Sequence, residues 1–102
     1  MEQQSGGNGW TTRMEAPSPR PGQLTLWAMQ SVAHGADYIS FFRWRTCTFG
    51  TEIYWHGILD YDNRENRKYR EVQDFYKKLK AIDGVCNSEY KAAFAIVKDY
   101  DN

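Results

Sequence analysis

The side chains of this sequence best suited to chemistry are carboxylates and flat rings in segments that read as loops. Glu52, Tyr54, Trp55 and His56 fall within five residues of one another. A carboxylate and an imidazole exchange hydrogen bonds with hydroxyls, while indole and phenol rings offer apolar faces with a polar edge. Together they suit a sugar, whose hydroxyls need partners and whose C–H faces stack on rings. An Ω-loop packed by its own aromatics is the structural alternative. Nearer the amino terminus, Glu2 and Trp10 repeat the pairing of an acid with an indole, although either one alone carries little specificity. His34 falls in the last turn of an expected helix, where an imidazole complements the dipole or caps a carbonyl. Cys47 and Cys86 are far apart, in neither a metal-ligand nor a redox spacing, which fits two free thiols in a reducing compartment. No cofactor and no metal site is read from these residues.

The elements that must hold these groups alternate in type. The run Tyr38-Ile39-Ser40-Phe41-Phe42-Arg43-Trp44-Arg45 reads as a buried strand, because apolar runs bounded by turn signals are what parallel sheets covered on both faces contain. It ends in charged and aromatic residues, and α/β folds keep their ligands at strand carboxyl ends. Before it, residues 24–34 read as a helix, with Leu26, Met29 and Ala33 on its packing face and Gly35 ending it. Residues 46–63 read as a loop. Residues 64–82 read as the clearest helix, with Tyr69, Val72, Phe75, Tyr76, Leu79 and Ile82 at three- and four-residue spacing and Gly84 as its stop. Its other face carries Arg64, Arg67, Lys68, Arg70, Lys77, Lys78 and Lys80 against Glu65, Glu71 and Asp74, the pattern of a solvated face. Ala92 to Val97 reads as a further strand. Residues 1–22, rich in Gly and Pro, read as a long loop.

Bulk composition narrows the class. The chain has 102 residues, 41% hydrophobic, 25% charged and 16% aromatic, with a formal net charge of zero. That balance is globular and argues against a nucleic-acid binder, which carries a basic excess. No twenty-residue apolar segment is present to span a membrane. No signal peptide opens the chain, so a cytoplasmic location is expected. A single strand–helix–loop–helix–strand set cannot close a conventional sheet core, so the chain is expected to be a piece of something larger.

Several segments, in order, resemble the β-galactosidases of glycoside hydrolase family 42. They are Met1-Glu2-Gln3-Gln4, Asn8-Gly9-Trp10, Pro19-Arg20-Pro21-Gly22, Leu26-Trp27, Ala33-His34-Gly35-Ala36-Asp37, Phe41-Phe42-Arg43-Trp44-Arg45 and Gly57-Ile58-Leu59-Asp60. The resemblance implies an α/β fold, the C-terminal part of a (β/α)8 barrel. Residues 1–84 would run from the end of strand seven to the final barrel helix, and residues 85–102 would be a linker and the first strand of a trimerisation domain. It implies that Glu2 is the nucleophile of a retaining enzyme that hydrolyses terminal β-D-galactosides. By the same resemblance Trp10 packs on galactose, Phe42 lines the same pocket and Glu52 binds sugar hydroxyls. A site histidine of the family falls on His56 or, by strict counting, on Trp55. A retaining glycosidase needs two carboxyl groups about 5 to 5.5 Å apart. The acid/base glutamate, carried by the family in an Asn-Glu pair, has no counterpart here, since no Asn-Glu dipeptide occurs. The chain is therefore expected to be inactive alone and to work within a full-length homotrimer. The competing expectation is a non-catalytic carbohydrate-binding or interaction module derived from such a barrel.

Overall fold

Two glycines in left-handed backbone, Gly22 (φ 83°) and Gly35 (φ 86°), bracket the first helix, α1 (Gln23–Ala33). In the computed structural model, which describes residues 1–7, 9, 16–85, 88–89 and 91–99, α1 joins two short strands, β1 (Glu2–Gln4) and β2 (Ser40–Phe42). The strands pair in parallel, with Glu2 opposite Ser40, Gln3 opposite Phe41 and Gln4 opposite Phe42. Parallel pairing requires a crossover that returns the chain to the same end of the sheet, and α1 is that crossover. A second helix, α2 (Arg67–Ala81), packs on α1, and a 3₁₀ turn at Asp83–Val85 follows it. The α/β class expected from the sequence is the one observed.

The helix ends follow from local chemistry. At the carboxyl end of α1, the Ala36 amide donates to the Ser31 carbonyl and the Gly35 amide to the Val32 carbonyl, both at 3.0 Å. This pair of bonds is a Schellman motif, and its left-handed residue is Gly35 because a Cβ is unfavourable there. Its amino end has no side-chain cap of its own. Glu71 of α2 supplies one, its Oε1 accepting from the Thr25 amide at 3.1 Å, so one helix satisfies an orphan donor of the other. α2 begins later than the expected residue 64 because Asn66 caps it, its Oδ1 accepting from the Tyr69 amide at 3.1 Å. It ends at Ala81 with Ile82 as its cap, ahead of Gly84, which lies within the 3₁₀ turn.

Four expectations are corrected. The face of α1 that packs is Leu24, Ala28 and Ser31, whereas Leu26 is 64% exposed. Leu26 and Met29 instead line an open groove between the helices with Arg67, Arg70, Asp74 and Lys78. The strand is three residues long and half-buried, since β1 offers only three partners and Tyr38 and Trp44 stay exposed. Lys68 is buried, not part of a solvated face. Its ammonium donates to the Gly57 carbonyl at 2.7 Å and to Asp60 Oδ1 at 2.8 Å, which ties the preceding loop to α2. Finally, Ala92 to Val97 joins no ladder, and Phe94, Ile96 and Val97 are exposed. A strand needs a partner backbone, and none lies beside this segment among the described residues.

The core is small. Leu24, Ile58 and Val72 form its centre, with Trp27, Phe41 and Tyr69 packed against it. Phe41 meets the fully buried Phe75 edge to face, with ring centroids 5.8 Å apart. β2 thereby turns one face towards the helices, and that choice decides what the other face presents.

Candidate active site

Side chains alternate across a strand, so one contact on each strand fixes the direction of all the others. On β1, Gln3 points at α1, its Nε2 donating to Ser31 Oγ at 2.9 Å and to the Trp27 carbonyl at 3.4 Å. On β2, its register partner Phe41 also faces the helices. Glu2 and Gln4 must then point to the opposite face, together with their partners Ser40 and Phe42. Glu2 is exposed on that face.

The strand ends are locked together by short polar contacts. Ser5, just past β1, is fully buried: its amide and its hydroxyl both donate to the Phe42 carbonyl, at 2.9 and 2.7 Å. The Phe42–Arg43 peptide that follows is cis. Gly6 lies so close to the second loop that a Cβ there would be 2.2 Å from the His56 carbonyl oxygen. The His56 amide in turn donates to the Gly7 carbonyl at 3.4 Å. Thr46, also fully buried, accepts from the Gly57 amide at 2.9 Å and donates to the Leu59 carbonyl at 2.8 Å. A parallel bridge from Arg45 to Leu59 completes the frame.

This frame gathers most of the residues singled out from the sequence. Trp55 stands edge-on to Phe42, with ring centroids 6.2 Å apart. Glu52 reaches the same corner through Arg43, whose Nη1 is 3.1 Å from Glu52 Oε2. Both candidates for the histidine position lie in the same loop: the His56 ring packs on Tyr61 at 5.4 Å, and the Trp55 ring is the one just described against Phe42. Trp10 and Cys86 lie outside the described residues. His34 caps its helix as expected, with Nδ1 2.8 Å from the Gln30 carbonyl. Among the described residues, no group of three or more His, Cys, Asp or Glu side chains could hold a metal ion. Among them too, no helix is long and apolar enough to cross a membrane. The sequence reading missed Ser5 and Thr46, because a hydroxyl in a loop gives no sign that it will be buried. It also left Arg43 without a role, although its place just past an apolar strand was visible.

Phe42, Trp55, Arg43 and Glu52 thus meet at one corner, and the exposed Glu2 lies on the sheet face that carries Phe42, two register positions from it. Rings and carboxylates are groups that suit a sugar's faces and hydroxyls. Comparison with known proteins shows the family. The glycoside hydrolase family 42 β-galactosidase model matches residues 1–82. The chain belongs to that family. Among curated relatives, it is 39% identical to the β-galactosidase BgaH of Haloferax lucentense and 38% identical to the β-galactosidase BgaB of a Geobacillus strain. The whole chain is covered in both cases, against 14% and 15% of those proteins. It therefore spans about one-seventh of their length. Among solved structures, it matches the β-galactosidase of the Antarctic haloarchaeon Halorubrum lacusprofundi with a TM-score of 0.72 and 37% identity, over 82% of this chain and 12% of that one. It matches a catalytic mutant of Gan42B, a family 42 β-galactosidase from G. stearothermophilus, with a TM-score of 0.80 and 30% identity, over 100% of this chain and 15% of that one.

Proposed function

We propose that this family 42 chain supplies the nucleophile and part of the galactose pocket of a retaining β-galactosidase acting on terminal, non-reducing β-D-galactosides. The observation that carries the reading is the strand alternation that puts Glu2 on the face of Phe42, away from the helices. In this reading β1 and β2 are the seventh and eighth strands of a (β/α)8 barrel, whose active sites gather at strand carboxyl ends. Residues 85–102 lead into a trimerisation domain of a cytoplasmic homotrimer.

The Glu2 carboxylate attacks the anomeric carbon as the glycosidic bond breaks, giving a covalent galactosyl-enzyme. A second carboxylic acid, contributed from outside these residues, protonates the departing oxygen and then deprotonates the water that releases galactose. Phe42 and Trp55 form apolar walls for the sugar's C–H face, with Trp10 a third. Glu52 accepts from sugar hydroxyls. Because the proton donor lies elsewhere, residues 1–102 alone are inactive. NMR of the intact enzyme cleaving a nitrophenyl β-D-galactoside tests the reading: β-galactose is expected first, mutarotating to α later. Initial α-galactose, or no cleavage at all, would overturn it.

A further inference from the structure

None of the steps above employs Arg43, yet its side chain occupies the centre of the corner and is 23% exposed. Nη1 donates to Glu52 Oε2 at 3.1 Å, and Nη2 donates to Cys47 Sγ at 2.7 Å. Its Cζ stands 5.2 Å from the centroid of the Phe42 ring. A guanidinium is flat and rigid, so donors on two of its nitrogens and a ring against its face fix both its place and its tilt.

We propose that Arg43 is a positioning residue that sets the Glu52 carboxylate for hydroxyl recognition, an inference that rests on the β-galactosidase reading. One oxygen of Glu52 is held by Nη1, which leaves Oε1 to accept from a substrate hydroxyl. The ring against the guanidinium is the one that walls the pocket, so the carboxylate is referenced to the surface the sugar packs on. Glu52 comes from a loop with few buried residues and would otherwise sample several rotamers. Lysine could keep the charge but not the fork, because an ammonium is a point donor on a flexible stem.

A double-mutant cycle in the intact enzyme tests the proposal on kcat/KM for a nitrophenyl β-D-galactoside. Arg43→Gln is expected to lower kcat/KM about 10- to 100-fold, the scale of one charged hydrogen bond. In a Glu52→Gln background the same change is expected to cost less than about threefold, since two residues that act through one interaction are not additive. Arg43→Lys should recover only part of the loss, and it serves as the single variant if Arg43→Gln does not fold. A series of monodeoxygalactosides adds a readout that a merely structural role would not move. For the one lacking the hydroxyl that Glu52 binds, wild type and Arg43→Gln should become nearly equal. Independent, additive losses, or a penalty equal for every deoxygalactoside, would overturn the proposal. Absence of β-galactosidase activity in the wild type would instead defeat the reading on which it rests.

Discussion

Glu2→Ala in the intact enzyme is expected to lower kcat/KM for a β-D-galactoside by at least ~1,000-fold, or about 4 kcal/mol of barrier at roughly 1.36 kcal/mol per decade. The loss is large because, among the described residues, no neighbour of Glu2 on its sheet face can replace the carboxylate. Gln4, on the same face, is a poor nucleophile, and Glu52 is engaged with Arg43. The fold should survive, since Glu2 is exposed and its backbone makes the pairing with Ser40. Azide, small enough to enter the space left by the side chain, is expected to restore turnover and to give the α-galactosyl azide, because it attacks the face the carboxylate used. Activity within tenfold of wild type, or azide without effect, would remove Glu2 from the nucleophile's role.

The second large effect is expected from a methyl group. Gly6→Ala puts a Cβ 2.2 Å from the His56 carbonyl oxygen and 2.7 Å from its carbonyl carbon, both backbone atoms that cannot rotate away. The two loops must separate by about 1 Å, and a misplacement of that size costs on the order of 100-fold in rate when it reaches reacting groups. Here it reaches the two rings proposed to wall the sugar pocket. Ser5, next to Gly6, ties the end of β1 to Phe42, and Trp55, next to His56, packs on that same ring. We expect kcat/KM to fall about 100-fold, together with a lower unfolding temperature from the strain. Kinetics within threefold of wild type would show that the loop contact does not set the geometry of the site. By contrast, a Cβ at Gly35 would meet nothing within 4 Å, so the requirement there is for backbone conformation alone.

Much of this arrangement could be read in the residues, and what could not has identifiable physical causes. The presence of both helices and the end of α1 were legible because Gly35 and the period of Val72, Phe75 and Leu79 are local signals, whereas the start of α2 was not, since it is set by the Asn66 cap. The phase of α1 was not. Leu24, Leu26, Trp27, Ala28 and Met29 are apolar on nearly every side, so periodicity cannot choose between faces, and contact with Ile58 and Val72 decides for Leu24. Lys68 looked like one cation among seven. Its burial depends on the Gly57 carbonyl and Asp60, which are brought under α2 by the course of the loop. The Ala92 to Val97 run has the composition of a strand, but pairing is a property of two segments, and no second one lies beside it among the described residues. At the proposed site, the family resemblance pointed to Glu2, Phe42 and Glu52. The partnership of Trp55 with Phe42, and the fork of Arg43 between Glu52 and Cys47, are tertiary contacts that spacing could not reveal.

The most direct test of the central claim, that the Glu2 carboxylate forms the covalent bond to galactose, is to trap that bond. A 2-deoxy-2-fluoro-β-galactoside with a good leaving group slows breakdown of the intermediate more than its formation, and peptide mass spectrometry of the inactivated enzyme then locates the sugar. The fluorogalactosyl group is expected on the peptide that carries Glu2, at the Glu2 side chain. A label on Glu52 or on any other residue would contradict the account.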